Sequence, residues 1–161
     1  MRFIPIIVLC IGLTSFTGSS KHKAFDYQGF ISFYNISDST VNNQLKGKIV
    51  LVEFWASWCL PCRVQNGALN TIYKEFKDDG FEVISVSLDT DSMTWRKAIR
   101  NDKLQWSNHL MDTAKWNSTF IKQSEIYYLP NNVLLDTNGH EIGREVYGAA
   151  LKKLINAQIK Q

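Results

Sequence analysis

Residues 50–63, VLVEFWASWCLPCR, constrain the fold of this chain more than any other stretch. They begin as a nearly continuous apolar run, which is typical of a strand buried on both faces of a sheet. They end in two cysteines, Cys59 and Cys62, and beyond them the apolar residues recur at helical spacing. The pattern therefore predicts a central strand, Ile49–Trp55, that delivers a pair of thiols to the first turn of a helix ending at Gly80.

The rest of the chain alternates between strand-like and helix-like patterns. Residues 81–88 predict a second central strand, residues 133–136 and 141–147 a hairpin around Asn138-Gly139, and residues from about 149 to 159 a final amphipathic helix. Between them we expect a helix through Trp95 that ends before Leu104, a short strand or irregular connection at 106–111, and one or two helical turns at 116–123. This order predicts an α/β fold with a central mixed sheet and helices on both faces.

The segment before the central strand is aromatic and β-branched at residues 30–34, FISFY, which predicts a short strand. A turn and a weaker extended piece near Val41 follow. Together they predict an N-terminal β-hairpin extension. The polar residues leading up to Tyr27 are expected to be loosely ordered.

The first twenty residues are typical of a targeting segment. Arg2 precedes an apolar stretch at 3–16, and small residues follow at 17–20, which predicts a signal peptide at 1–20 cleaved near Ser19 or Ser20. The apolar stretch is shorter than the ~20 residues of a membrane-spanning helix. The remaining residues, 21–161, are enough for one globular domain.

Two alternatives for this segment stay open. It would act as a membrane anchor if it is not cleaved, and only then would the chain contact a membrane. Cys10 would carry a lipid if it is processed as in lipoproteins, although bulky Leu9 directly before it argues against that.

The charge balance gives no support for two classes of partner. The chain has 18 Lys and Arg against 15 Asp and Glu, with no long basic run. A weak positive charge of this kind favours neither nucleic acid nor an anionic membrane as a partner.

The cysteines that remain after export favour redox chemistry. A disulfide between Cys59 and Cys62 closes a very small loop, so stability is a poor reason for it. A zinc site would need further ligands at short spacing in the sequence. The histidines, His22, His109 and His140, lie far from one another and from the cysteines. We therefore expect no metal and no other cofactor, with a metal site assembled only by the fold as the alternative.

The two thiols differ in their expected roles. Only a thiolate attacks a disulfide, and unpaired N–H groups at a helix N-terminus stabilise negative charge, so Cys59 is the predicted nucleophile. Cys62 lies one turn later and can resolve a mixed disulfide on Cys59. Pro61 suits the first helical turn, where its missing N–H loses nothing, and Leu60 sets the environment of both sulfurs.

Glu53 is an acid inside the apolar strand. Burial should raise its pKa and leave it partly protonated near neutrality, which suits a group that moves a proton to or from Cys62 through a water. The alternative is a carboxylate at the sheet edge that reaches solvent.

The tryptophans divide by position. Trp58, beside the thiol pair, is expected to shield a disulfide and to offer an apolar contact to a partner. Trp55 is expected in the core, and Trp95, Trp106 and Trp116 are interpreted as packing residues.

Three blocks, LKGKIVLVEFWASWCLPCR at 45–63, SLDTDSMTWRKAI at 87–99 and LPNNVLLDTNG at 129–139, stand in this order in the chain. From about Phe25 to the C-terminus the sequence thereby resembles the exported TlpA/ResA-like thiol-disulfide oxidoreductases of bacteria, which are related to the AhpC/TSA group and have the thioredoxin fold. Three ordered blocks are more specific than a lone C-x-x-C. The resemblance implies that Glu53 is the buried acid of thioredoxin-like proteins.

The resemblance also implies a second part of the site. Pro130, preceded by Leu129, would be a cis proline whose loop packs beside the cysteines and leaves backbone groups free to pair with an extended substrate. A trans proline in a strand-entry turn is the alternative.

The sequence departs from the family pattern at four positions. Gln65 stands where many relatives have a glutamate near the active site, so a charge that could tune the thiols is missing. Gly67 replaces a helix-kinking proline, at a cost of about 1 kcal/mol of helix stability relative to alanine. Asn131 and Asn132 replace the usual threonines, so substrate contacts there are expected to differ.

The function implied is thiol-disulfide exchange with other proteins through Cys59 and Cys62, without a cofactor. The resemblance places it in the periplasm or on the outer face of the cytoplasmic membrane, as a reductant recharged by a membrane electron-donor protein. A thiol peroxidase is one alternative, although Ala56 stands where peroxiredoxins need a threonine. A non-enzymatic redox-sensing or metallochaperone module is another.

Overall fold

The computed structural model describes residues 23–36 and 45–160. The strands in these ranges are β1 Ile49–Trp55, β2 Phe81–Ser87, β3 Asn108–Met111, β4 Asn131–Leu135 and β5 Glu141–Arg144. The helices in these ranges are α1 Tyr27–Phe33, α2 Leu60–Phe76, α3 Ser92–Asn101, α4 Thr119–Gln123 and α5 Gly148–Ile159. Short 3-10 turns lie at Lys77–Asp79 and Lys115–Asn117.

The central strand is β1, in a sheet of order β3-β2-β1-β4-β5. It pairs with β2 in parallel and with β4 in antiparallel orientation, and all seven of its residues are buried. A strand that is apolar on both faces needs other elements packed on both sides to remove it from water. The uninterrupted apolar run therefore predicted a central position for this strand. The predicted mixed sheet is confirmed.

Helices cover both faces of the sheet, as predicted. Alternate residues of β1 point to opposite sides. Val50, Val52 and Phe54 pack in one core with residues of α1 and α4. Ile49 and Leu51 pack in a second core with residues of α2 and α5. Glu53 therefore projects from β1 toward the side covered by α2 and α5.

The helix that starts between the two cysteines is the longest in the described ranges, and it begins at Leu60 with Pro61 and Cys62 in its first turn. It runs unbroken past Gly67, ends at Phe76 and continues as the 3-10 turn to Asp79. Gly80 then takes φ +89°, a left-handed conformation that side chains other than glycine disfavour. The predicted end of the helix at Gly80 is confirmed.

The predicted hairpin is present as β4 and β5, with a loop that differs in detail. Asp136 Oδ1 accepts the N–H groups of Asn138 and His140 at 2.9 and 2.8 Å. Within this loop only Gly139 takes a positive φ, +83°. The loop is thus organised by the carboxylate of Asp136 and not by a two-residue Asn-Gly turn.

The strand predicted at residues 30–34 is wrong, because α1 occupies this segment. The Asp26 carboxylate accepts the Gly29 N–H at 2.8 Å and caps the helix. Phe30 and Tyr34 lie one turn apart, and both rings contact Phe120, with centroids 5.5 and 5.7 Å away. Aromatic composition had suggested a strand, but these rings pack with helical spacing. The extended piece predicted near Val41 lies outside the described residues.

The segment just before α1 is also more firmly held than expected. Phe25 is 6% exposed, and its N–H donates to Glu141 Oε2 at 2.8 Å. Its ring contacts Phe30 and Phe120, with centroids 5.7 and 5.6 Å away. The expectation of loose order is therefore wrong at Phe25, because its aromatic side chain packs in the core although the segment around it is polar.

The described part of the chain contains no helix that is both long enough and apolar enough to cross a membrane. The predicted signal peptide at 1–20, with its alternatives of anchor and lipidated Cys10, lies outside the described residues.

Candidate active site

A disulfide joins Cys59 and Cys62, with the sulfur atoms 2.05 Å and the Cα atoms 5.3 Å apart. Cys59 is 6% exposed and Cys62 is fully buried. They pack with Trp55, Ala56 and Ala98, and Leu129 contacts the same cluster. The pair therefore lies at the surface end of the core, with Cys59 as the sulfur nearer to solvent.

Cys59 caps helix α2. Its backbone is extended, and its Sγ accepts the Cys62 N–H at 3.2 Å. Serine or aspartate usually supplies the oxygen that satisfies a free N–H at this position. Here a sulfur does so, at the positive end of the helix dipole, where added negative charge is stabilised.

The loop before the disulfide is held by Asp89, which is 3% exposed. Its carboxylate accepts the Ser57 N–H at 2.9 Å, the Ser57 hydroxyl at 2.7 Å and the Ser87 hydroxyl at 2.6 Å. Asp91, two residues later, caps α3 by accepting the N–H groups of Met93 and Thr94. The role of Asp89 in holding this loop was missed.

The first turn of α2 is tied to the end of α3. The Arg63 guanidinium forms a bidentate pair with Asp102 and donates to the Ser57 carbonyl at 3.2 Å. The Asn66 amide donates to Asp102 Oδ2 at 2.9 Å. These residues were not predicted, because Arg63 and Asp102 lie 39 positions apart and no local pattern links them.

Glu53 is 4% exposed, which excludes the alternative of a carboxylate reaching solvent. Its pKa is raised to about 7, mainly by burial and to a smaller extent by the negative charge of Asp102. The hydroxyl of Ser85, which donates to Glu53 Oε2 at 2.7 Å, acts in the opposite direction. The carboxyl is therefore close to half-protonated at neutral pH.

A small cavity of about 20 Å³ lies beside Glu53. That volume is enough for about one water molecule. Gln65, Pro130 and Asn132 are among the residues that line it. The fold thus brings together three predicted site residues, Glu53, Gln65 and Pro130, from a strand, a helix and a loop.

The Leu129–Pro130 peptide bond is cis, as the resemblance implied. The Pro130 carbonyl accepts the hydroxyl of Tyr147 at 3.0 Å. Asn132, next in β4, exchanges two hydrogen bonds with the backbone of Val146, each 3.0 Å long. The loop that carries the proline is therefore tied to the segment leading into α5, in part by Asn132, which differs from the family pattern.

The surface around the disulfide is apolar and exposed. Trp58 is 56% exposed, Leu60 is 74% exposed, and Pro61 is exposed beside them. Two further aromatic side chains, Tyr127 and Tyr128, precede Leu129 and are 72% and 51% exposed. Their position before the cis proline was available in the sequence, but they were not predicted as part of the site.

The other tryptophans mostly follow the prediction. Trp55 is fully buried, Trp106 is 2% exposed, and Trp95 packs against the cluster around the disulfide. Trp116 is 38% exposed, so more of its side chain contacts solvent than expected for a residue interpreted as packing in the core.

No group of three or more His, Cys, Asp or Glu side chains in residues 23–36 and 45–160 is arranged to hold a metal ion.

Comparison with known proteins places this geometry in a family. A profile described as thioredoxin-like matches residues 47–141. The chain belongs to the thioredoxin-like family. Its relatives include the thiol-disulfide oxidoreductase ResA of Bacillus thuringiensis subsp. konkukian, which is 25% identical over 99% of this chain and 94% of its own length.

Solved structures give the same answer. A thiol-disulfide oxidoreductase from Bacteroides fragilis is 34% identical over 70% of this chain and 82% of its own, with a TM-score of 0.65. The thioredoxin domain of an oxidoreductase from Bacteroides vulgatus is 32% identical over 73% and 83%, with a TM-score of 0.66. Together with the disulfide, these relatives confirm the prediction of a TlpA/ResA-like thiol-disulfide oxidoreductase with the thioredoxin fold.

Proposed function

We propose that this enzyme is exported and reduces disulfides of other proteins, with Cys59 as nucleophile and Cys62 as resolving thiol. The observation that carries the division of roles is the cap of α2. Cys59 Sγ accepts an N–H at the helix N-terminus, and Cys59 is the more exposed of the two residues, whereas Cys62 is fully buried. A thiolate at Cys59 would be stabilised by that N–H and would be the sulfur within reach of a partner.

The exchange proceeds in two steps. The Cys59 thiolate attacks one sulfur of the substrate disulfide, a mixed disulfide forms, and the other substrate sulfur leaves and takes up a proton. Cys62 then loses its proton and attacks Cys59 Sγ, which releases the second substrate sulfur as a thiolate that is protonated. The substrate gains two electrons and two protons, and Cys59 and Cys62 are left as a disulfide.

Glu53 is the proposed acceptor of the Cys62 proton. A carboxyl that is close to half-protonated near pH 7 can both take up and return a proton at neutral pH. The cavity that Glu53 lines has room for about one water, which would take up or return this proton at the carboxyl.

The apolar rim is the proposed contact surface for the substrate. Trp58 and Leu60 flank Cys59 and are largely exposed. Pro130 and Leu129 present the backbone of the loop that faces the disulfide cluster, where an extended segment of the substrate would pair. Gln65 keeps the neighbouring cavity free of a second charge beside Glu53.

Export and recharging complete the proposal. The pattern at residues 1–20 and the similarity to ResA support action in the periplasm or on the outer face of the cytoplasmic membrane. A membrane protein that carries a dithiol would return the Cys59–Cys62 disulfide to the reduced state. Fractionation of cells that express the full chain should place the protein outside the cytoplasm, and recovery in the cytoplasm would contradict export.

The decisive experiment traps the mixed disulfide. The Cys62→Ser variant should accumulate partner proteins on Cys59, released by dithiothreitol, whereas Cys59→Ser should accumulate none. Equal trapping by both variants would overturn the division of roles. The wild-type protein should also accelerate insulin reduction by dithiothreitol, and a protein that only senses or binds would not.

A further inference from the structure

Two residues outside the proposed mechanism form a hydrogen-bonded chain that ends on Glu53. The Trp106 indole N–H donates to Ser85 Oγ at 2.7 Å, and the Ser85 hydroxyl donates to Glu53 Oε2 at 2.7 Å. Trp106, Ser85 and Glu53 are 2%, 0% and 4% exposed. Ser85 lies directly opposite Glu53 in the pairing of β1 with β2.

When Glu53 is ionised, the chain has only one possible direction, because a carboxylate can only accept a hydrogen bond. An indole nitrogen can donate a hydrogen bond but cannot accept one. The Ser85 oxygen is therefore the acceptor toward Trp106, and its single hydrogen is free to point toward Glu53. In a buried chain of this kind, each hydrogen bond polarises and strengthens the next, and together they hold the Ser85 hydroxyl in one orientation.

The direction of the chain distinguishes the two carboxyl oxygens of Glu53. Oε2 receives the Ser85 hydrogen, whereas Oε1 has no hydrogen-bond partner in residues 23–36 and 45–160. Glu53 also lines the cavity with Gln65 and Pro130. A proton on Oε2 would compete with the Ser85 donor, so Oε1 is the oxygen that can gain or lose a proton without disturbing the chain.

We propose that Trp106 and Ser85 are positioning residues that orient the Glu53 carboxyl, so that it exchanges its proton through Oε1 at the cavity. This inference rests on the proposed role of Glu53 as proton acceptor. It adds the two residues that hold the carboxyl in place and the atom that carries the proton.

Other groups near Glu53 do not supply this orientation. Asp102, at the end of α3, is an anion that disfavours charge on Glu53 and is paired with Arg63 of α2. Tyr147, before α5, has its pKa raised to about 12 and is neutral at physiological pH. Asn132 of β4 is neutral, and its amide is engaged with Val146. Cys59 and Cys62 do not titrate while they form the disulfide.

The test measures the protonation of Glu53 directly. Infrared titration of the oxidised protein follows the carboxylic C=O band, which Glu53→Gln assigns by its loss. Ser85→Ala should lower the acid dissociation constant of Glu53 by about tenfold to a hundredfold, because the carboxylate loses a hydrogen bond. Trp106→Phe should lower it about two- to fivefold, since the hydroxyl is then free to rotate.

Two variants serve as controls. Ser85→Thr keeps the hydroxyl and should hold the acid dissociation constant within about twofold of wild type. Trp95→Phe removes another buried indole nitrogen, which has no hydrogen-bond partner among the described residues, and should leave the constant unchanged. Circular dichroism checks that each variant is folded.

The outcomes separate this inference from the proposed function. If Ser85→Ala leaves the constant within twofold of wild type, or if Trp95→Phe shifts it as much as Trp106→Phe, the positioning chain is wrong. If the constant shifts while the pH profile of insulin reduction does not, the chain is supported and the proton-acceptor role of Glu53 is wrong. A parallel shift of both supports both.

Discussion

A carboxyl in the middle of a buried strand works against the folded state whenever it is charged. Glu53 illustrates this, because burial raises its pKa from an ordinary value of 4.5 to about 7. Proteins retain such groups where a proton has to be moved, since a group with a pKa near the working pH is both an acid and a base. The burial that makes the charged Glu53 carboxylate unfavourable in the folded state is therefore also what gives it a pKa suited to proton transfer.

This predicts a pH dependence that Glu53→Gln removes. Between pH 4.5 and 7 the folded protein holds the Glu53 proton and the unfolded chain releases it, so the free energy of unfolding falls as pH rises through this window. The variant should lack this decrease and should be more stable than wild type at pH 8 by up to roughly 3 kcal/mol. Urea denaturation at pH 4 and pH 8 measures the difference. An unchanged pH dependence in the variant would contradict the buried, titrating carboxyl.

Removal of the Asp89 carboxylate should lower both the free energy of unfolding and the rate of insulin reduction. Asp89→Ala leaves the donors of Ser57 and Ser87 without an acceptor in a buried site, which should cost about 3 kcal/mol. Insulin reduction should slow as well, because the loop that positions Cys59 is released. Asp91→Ala, which removes only the exposed cap of α3, should cost about 1 kcal/mol and leave insulin reduction unchanged. Equal effects of the two variants would argue against the role of Asp89.

At the scale of the element, helix α2 carries the reactive sulfurs at one end and an exposed glycine in its interior. Gly67 takes an ordinary helical conformation, and an added Cβ would meet no atom within 4 Å. The resemblance led us to expect a helix-kinking proline at this position in relatives, and with glycine here α2 continues through residue 67 without a break. Glycine is thus the least stabilising choice here that still preserves the helix.

Gly67→Ala should therefore raise the free energy of unfolding by about 1 kcal/mol. The matched control is Gly139→Ala in the β4–β5 loop, where φ is +83° and the new Cβ would lie 2.5 Å from Tyr27 Cδ1. That variant should be destabilised. Chemical denaturation of both variants gives the comparison, and destabilisation by Gly67→Ala would mean that flexibility of α2 is built into the fold.

For the whole molecule, the notable feature is that the N-terminal helix belongs to the core of the domain. Phe25 and Phe30 of this region pack with Phe120 of α4 against the sheet face opposite α2. The Tyr34 hydroxyl donates to Asp112 at 2.8 Å, just after β3. The domain therefore begins ahead of the 47–141 segment that defines its family.

Phe30→Ala should lower the free energy of unfolding by about 3–5 kcal/mol, because it leaves a cavity in the core. Phe33, on the same helix, is 48% exposed, and Phe33→Ala should cost about 1 kcal/mol. Thermal and urea unfolding of the two variants checks the difference. Similar small losses for both would show that α1 contributes little to the stability of the domain.

Much of the fold could be predicted because its elements carry strong local patterns. The continuous apolar run of β1, the helical spacing of α2 and the hairpin at residues 131–144 each follow from the periodicity of a short segment. The N-terminal strand was wrong because aromatic residues suit both a strand and a helix, and only contact with Phe120 decides between them. The family resemblance supplied what local patterns did not, above all the cis peptide bond before Pro130.

The sequence by itself determined that a thiol pair begins a helix directly after a buried strand, and that this strand contains an acid. Only the tertiary structure decided what surrounds that acid. Ser85 lies 32 positions from Glu53 and reaches it through the register of two strands, and Trp106 joins them from a third part of the chain. Such contacts depend on how strands pair and helices pack across the whole domain, and no local periodicity encodes them.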